Sequence, residues 1–180
     1  MDHAPLPPPR EPGTPYRICL VCLGNYCRSP MAEVVLRGAL AAAGLDRAVA
    51  LDSAGTGSWH VGQPMNPMAR QALASRGYDG SPHRGRQLDA SWLAERDLFL
   101  AMDAGNLATL RRMAGRADDG RIRLFGEVGG LSATHGGEIP DPYGGDEAEY
   151  RHVLDLLSAA APVIVRRLAR LLEPASPPLG

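Results

Sequence analysis

The sequence contains no lysine: all 19 basic residues are arginine. That excludes lysine chemistry, whether a Schiff base or a Walker-type phosphate lysine. Cysteine is scarce, and its count of three is odd. An odd number argues against a disulfide framework and fits a reducing compartment. Formal charge of one sign is also nearly absent, with a net of −1. No bulk attraction to nucleic acid or to an anionic membrane follows from that balance. No apolar run approaches the roughly 20 residues needed to cross a bilayer. The N-terminus lacks a basic-then-apolar leader pattern, so the expected location is cytoplasmic, with export by another route left open. Neither G-x-G-x-x-G nor G-x-x-x-x-G-K-[ST] follows a strand pattern, which removes the usual nucleotide-binding loops.

What is present is a chain of 180 residues, enough for one domain with a real core. Met1 to Pro15 holds six prolines and reads as a disordered or polyproline-like tail. A role as ligand of a proline-binding domain is one reading of it. The domain is expected over 16–173, with 174–180 a frayed end. Apolar runs over 16–21, 48–51, 97–102 and 121–125 read as strands. Helical patterns fall over 30–43, 66–76, 89–94, 103–113 and 146–172. The last should break near Pro162. Ser29, Asn66, Asp89 and Asp103 are the expected caps. Strands alternating with helices predict a three-layer α/β fold, a four-stranded parallel sheet with about five helices on both faces. In such sheets the site lies at the carboxyl ends of the strands.

That is where the most informative stretch falls, Cys22-Leu23-Gly24-Asn25-Tyr26-Cys27-Arg28-Ser29. A thiol and a guanidinium stand at its ends, five residues apart. A loop curling over a helix N-terminus turns its N–H groups inward and makes an anion nest. Gly24 and Asn25 tolerate the positive φ such a curl needs. Arg28 offers a planar fork to two phosphate oxygens. Cys22 would point at phosphorus as an activated nucleophile. Downstream, Asp141-Pro142-Tyr143-Gly144 sits in a Gly- and Pro-rich stretch over 126–145. Pro142 biases Asp141 toward an extended backbone that can project its carboxylate. Cys19 and Cys22 form a C-x-x-C, but a strand turns them to opposite faces, and zinc would need a second pair.

Cys22 to Pro30 resembles the signature of the low-molecular-weight protein tyrosine phosphatases, Cys-x-Gly-Asn-x-Cys-Arg-Ser-Pro. The resemblance implies hydrolysis of protein phosphotyrosine, and of small aryl phosphates, through a cysteinyl-phosphate, with no cofactor and no metal. It implies catalytic roles for Cys22, Arg28 and Asp141, with the phosphate held by residues Leu23, Gly24, Asn25, Tyr26, Cys27 and Arg28. Ser29, Ser53 and His83 match supporting positions. Trp59 and Tyr143 match the aromatic walls of the slot. His60, beside Trp59, reads as exposed, and Trp92 as core. Cys27 matches a second cysteine that the family uses as a reversible oxidation partner of Cys22. The partners implied are a phosphotyrosine protein as substrate and inorganic phosphate as product, the protein acting as a monomer or weak dimer.

Arsenate reductases of the same fold need further cysteines downstream, and none follows Cys27. Protein-arginine phosphatases carry Thr at the loop position held here by Tyr26, and the bulky ring favours phosphotyrosine, although Ile is more usual there. A non-catalytic phosphate-binding module would be expected to lack Cys22, Arg28 or Asp141.

Overall fold

A computed structural model describes residues 4–115 and 120–173. The strands are β1 (Tyr16–Cys22), β2 (Val49–Gly55), β3 (Leu98–Ala101) and β4 (Ile122–Leu124). They form one sheet in the order β2-β1-β3-β4, and every pairing is parallel. β1 is interior and, apart from Arg17, apolar and buried, because both of its faces are covered. Ile18, Leu20 and Cys22 enter one cluster, and Cys19 and Val21 enter the other. The expected separation of Cys19 from Cys22 is therefore observed.

The helices are α1 (Arg28–Ala42), α2 (Pro67–Ala74), α3 (Trp92–Glu95), α4 (Ala104–Ala114), α5 (Phe125–Val128), α6 (Ser132–His135) and α7 (Glu147–Leu172). Asn66 caps α2 by accepting from Met68 and Ala69 N–H. Asp146 closes a capping box with Glu149 at the start of α7. Several expectations need correction. Asp89 is not the cap of α3, which begins at Trp92 with Ser91 at its N-cap; Asp89 accepts from Ser91 N–H in the turn before it. Ser29 is not the cap of α1, which begins one residue earlier with Cys27 at its N-cap. The stretch over 126–145 is not a plain loop but contains α5's end and α6. Finally, α7 runs unbroken through Pro162. An internal proline costs about 3 kcal/mol. Burial of Leu154, Leu157, Ala161, Ile164 and Leu168 along one face outweighs it, at roughly 1.5–3 kcal/mol for each large side chain. β2 also extends four residues beyond its apolar run, through Asp52 and Ser53. Its polar residues find partners there: Asp52 pairs with Arg96 at 2.7 Å.

The N-terminal segment differs most from expectation. Residues 174–180 lie outside the described residues, but residues 4–15 do not behave as a tail. Leu6 is buried in the main core. The Tyr16 hydroxyl donates to Pro7 O at 2.9 Å, and Arg121 donates to Pro8 O at 2.9 Å. Arg123 takes Ala4 O and Pro5 O, and Arg167 reaches Ala4 O from α7. Asp97 then receives two backbone N–H groups, from Arg10 at 2.6 Å and from Arg17 at 2.7 Å. Proline has no N–H, so a polyproline segment cannot add to a sheet edge. Its free carbonyls instead suit a row of arginines. The segment is a strap, and its carbonyls are spent within the molecule.

Replacing Leu6 by Ala should therefore destabilise the domain by about 2 kcal/mol, a typical cost of a buried Leu truncation. Thermal unfolding followed by circular dichroism should show a loss of roughly 4–8 °C. An unchanged melting temperature would mean that the strap carries no stability.

Candidate active site

The carboxyl end of β1 delivers Cys22, and the next five residues curl into the first turn of α1. Two hydrogen bonds set the curl: Thr56 N–H donates to Cys22 O at 3.0 Å, and Gly57 N–H to Leu23 O at 2.8 Å. The carbonyls of Cys22 and Leu23 are thus turned toward the end of β2, while those of Asn25 and Tyr26 meet His83 Nε2 and Asn66 N–H. A Cβ at Gly55 would lie 2.8 Å from the backbone of Gly24, so only glycine lets β2 approach this closely. Among the described residues, no protein acceptor takes the N–H of Gly24, Asn25, Tyr26, Cys27 or Arg28. Five free donors at a helix N-terminus make an anion site.

Asn25 holds the shape. It is fully buried and is the only non-glycine residue at positive φ, 51°, among those described. Its Nδ2 donates to Ser29 Oγ and to Ser53 Oγ, both at 2.9 Å. Its Oδ1 accepts from Arg86 N–H at 2.9 Å. His83 Nε2 lies 2.9 Å from its carbonyl oxygen. A carbonyl only accepts, so His83 carries its proton on Nε2. Ser29 Oγ in turn stands 3.1 Å from Cys22 Sγ. Ser53 passes its own proton to Glu33 at 2.6 Å. Ser29, Ser53 and His83 are therefore brought together as the sequence indicates. Glu33 completes the network and was not foreseen.

Arg28 is buried and lies between two carboxylates. Its Nη1 donates to Asp103 at 2.6 Å and to Ile139 O at 3.1 Å. Its Nη2 lies 3.3 Å from Asp141. Asp103 also caps α4, accepting from Asn106 N–H at 2.7 Å. Sequence reasoning found only the cap. The cue for the second role was topological: Asp103 follows β3, the strand beside β1 at the same sheet edge. Asp141 is about half exposed, and its other oxygen accepts from Tyr143 N–H at 3.2 Å.

Cys22, Arg28 and Asp141 line one cavity of about 330 Å³, together with Tyr26, Trp59, His60 and Tyr143. The aromatic arrangement departs from two walls. Tyr26 and His60 stack face to face, 3.8 Å apart and 4° from parallel. Tyr143 stands edge-on to both rings at 6.3 Å. The Trp59 ring folds over Gly57, where a Cβ would collide with it. His60 is thus part of the wall rather than a bystander. Its Nδ1 is fixed by Gln63 at 2.8 Å. Trp92, expected in the core, is half-buried beneath Arg96, 4.4 Å from its ring. Cys27 also lines the cavity, 3.6 Å from the Tyr150 hydroxyl. Burial pushes its thiol up to about 12, with the Tyr150 hydrogen bond opposing.

Residues 17–173 match the family model described as low molecular weight phosphotyrosine protein phosphatase. The chain belongs to that family. A relative from Streptomyces coelicolor, a low molecular weight protein-tyrosine-phosphatase, is 43% identical over 147 residues, 81% of this chain and 89% of its own. A protein tyrosine phosphatase from Entamoeba histolytica, with Hepes in its active site, superposes with a TM-score of 0.80 at 31% identity. The match covers 86% of this chain and 97% of that one. Wzb from Vibrio vulnificus, solved in complex with benzylphosphonate, gives a TM-score of 0.72 at 29% identity, covering 86% and 99% of the two chains. Membership in the family accounts for the shared sheet and loop. The strap of residues 4–15 precedes the matched region. Among the described residues, no helix is long and apolar enough to cross a membrane.

The protonation of His83 gives a test of the brace. Burial lowers its pKa, opposed by its bond to Asn25. The unfolded chain binds a proton near pH 6.5, where the folded chain does not. Folding stability should therefore fall as pH drops from about 6.5 through the depressed folded value. Urea unfolding of wild type and His83→Gln between pH 5 and 7 checks this. Equal pH slopes for the two proteins would remove His83 from the account.

Proposed function

We propose that this chain hydrolyses phosphotyrosine in proteins, and small aryl phosphates, through a cysteinyl-phosphate. The observation that carries the reading is Cys22 seated beneath five uncommitted N–H groups, with Arg28 and Asp141 in the same cavity. Ser29 stabilises the Cys22 thiolate by donating to it. The thiolate attacks phosphorus in line, while Arg28 and the loop N–H groups hold the equatorial oxygens. Without substrate the Arg28 fork is partly occupied by Asp141. A phosphate dianion takes that place, beside Asp141 in its acid form. Asp141 then passes the proton to the departing phenolic oxygen. Ionised, it draws a proton from the water that cleaves the S–P bond, releasing inorganic phosphate.

Asp103 orients Arg28 through its 2.6 Å contact with Nη1. It is a positioning residue, since it contacts the guanidinium and not the cavity. The depth of the slot selects an aryl ester: a short alkyl chain would leave the aromatic faces of Tyr143 and His60 in water. The Streptomyces and Entamoeba relatives are tyrosine phosphatases by name, and the benzylphosphonate bound by the Vibrio protein is an aryl phosphate analogue. A phosphoprotein in the cytoplasm is the partner this supports.

Cys22→Ser should lower turnover of p-nitrophenyl phosphate by orders of magnitude while phosphate still binds, and a chelator should leave the wild-type rate unchanged. Asp141→Asn should cost ~10²–10⁴-fold on phosphotyrosine, the range for general acid–base catalysis. Its cost should shrink on esters whose phenol leaves unaided. A series of aryl phosphates assayed with both proteins decides the point. If the variant depends on leaving-group pKa no more steeply than wild type, the proton comes from elsewhere, and Glu138 or Asp146 is next to test.

The two cysteines of the cavity carry a second expectation. Peroxide converts the Cys22 thiolate to a sulfenic acid, which condenses with the Cys27 thiol and releases water. Because Cys27 is held as a thiol up to about 12, this second step should be the slow one at neutral pH. Mass spectrometry should find the Cys22–Cys27 link, and reductant should restore activity. Equal recovery of Cys27→Ser and wild type after peroxide would remove the protective role.

A further inference from the structure

Behind the catalytic loop, on the far side of Asn25 from the thiol, lies a second cavity of about 630 Å³. It is nearly twice the volume of the candidate active site and within the range of small-molecule sites. Its apolar wall comes from Pro30, Val34 and Ala41 of α1 and from Pro82 opposite. Its polar lining includes Glu33, His83 and Arg86. All three belong to the network that holds the loop. Glu33 receives the Ser53 hydroxyl proton at 2.6 Å, and Ser53 accepts from Asn25. His83 bonds the Asn25 carbonyl. Arg86 bonds the Asn25 side chain through its backbone N–H. Asn25 is one further hydrogen bond from Ser29, and Ser29 one from Cys22 Sγ.

The charge in this cavity is unequal. Arg37, Arg84 and Arg86 line it against Glu33 and Asp79. Arg37 is spent on Glu33 and on Leu51 O. Arg84 is turned to the carbonyls of Ser81 and His83. The Arg86 guanidinium makes no hydrogen bond or ion pair among the described residues. A cavity with an apolar wall and an unspent guanidinium matches an anion that carries a ring or a short hydrocarbon body.

We propose that this cavity is a second ligand site, for a small anionic molecule with an apolar body, whose occupancy is transmitted to the phosphate-binding loop through Glu33, His83 and Arg86. The inference rests on the reading of residues 22–28 as a phosphate loop. An anion that draws the Arg86 guanidinium toward itself and repels the Glu33 carboxylate strains the two sides of the Asn25 amide, through Arg86 N–H on Oδ1 and through Ser53 on Nδ2. Asn25 stands in a backbone region that persists only while its partners over-determine it. The loop therefore has little freedom to absorb the pull without moving its N–H groups. Coupling of this kind is reciprocal: the ligand changes phosphate affinity by the same factor by which phosphate changes ligand affinity.

The probe is 8-anilinonaphthalene-1-sulfonate, an aryl anion that carries no phosphoryl group. Its dissociation constant is read by fluorescence with and without saturating inorganic phosphate, and that of phosphate by calorimetry with and without probe. Neither needs turnover, so failure of the catalytic reading, seen as no aryl phosphate hydrolysis by wild type, is distinguishable. Two variants locate the probe. Ala41→Trp fills the cavity from an exposed helix position, and Arg86→Glu reverses the free charge while keeping the backbone bond to Asn25. Melting curves confirm that both fold. The expected result is probe binding weakened at least ~10-fold in both variants, and equal reciprocal shifts of about 5-fold or more in wild type. Binding that persists in both variants, or that phosphate alone abolishes by competition, overturns the site. Binding lost in the variants but with no shift in phosphate affinity overturns the coupling.

Discussion

The loop at residues 22–28 depends on one saturated amide. Asn25 is buried, left-handed and engaged at Nδ2, Oδ1 and its carbonyl oxygen. A non-glycine residue in that conformation costs about 1 kcal/mol or more. An unpaired buried amide would cost about as much again for each group left unmade. Both costs are offset only if Ser29, Ser53, His83 and Arg86 arrive together. They come from α1, β2 and the stretch between α2 and α3, so the loop can close only when the fold around it is complete. Glycine at 25 would supply the angle but none of the bonds. The N–H groups of residues 24–28 are therefore not turned toward one another's carbonyls.

Arg28 solves a different problem. A buried guanidinium needs compensation, but an arginine fully neutralised by the protein could not hold a dianion. The two partners are therefore unequal. Asp103 is the closer, at 2.6 Å, and is tied down as a helix cap. Asp141 is farther, at 3.3 Å, about half exposed, and carried on a segment bounded by Pro140 and Pro142. The first carboxylate fixes the fork and stays; the second is free to give way. A stronger Arg28–Asp141 bond would compete with substrate, and a missing one would leave the acid unplaced.

The parallel sheet was legible because alternation of strand and helix patterns leaves few topologies, and the cradle because Cys22, Gly24, Asn25 and Arg28 need fixed spacing. What escaped was set by distant partners. Asp103, Glu33 and His60 look like a cap, a surface acid and a loop histidine, and each is made specific by a residue 75, 20 or 34 positions away. Proline misled twice, and for the same reason. Local rules give its backbone cost but not what tertiary packing returns. Pro162 is carried by the buried face of α7. The prolines of residues 5–9 are held by Leu6 below them and by arginine donors on their carbonyls.

The three cysteines show how far environment, not residue type, decides chemistry. Cys19 faces the second core cluster next to Asp52, and burial together with that carboxylate raises its pKa. It has no route to solvent or substrate and behaves as a small apolar side chain. Cys27 reaches the cavity, but burial holds its proton as well, and Tyr150 offers a hydroxyl where an attacking thiol would need a base. Cys22 is as deeply buried as Cys27. It differs in what surrounds it: the hydroxyl of Ser29, five loop N–H groups and the positive end of a 15-residue helix. Each of these stabilises negative charge on sulfur, and the same set stabilises negative charge on a phosphoryl group bound above it. On the proposed mechanism, nucleophile and cradle are therefore one construction. A change that loosens Asn25 has to weaken attack and binding together, whichever of the two is measured first.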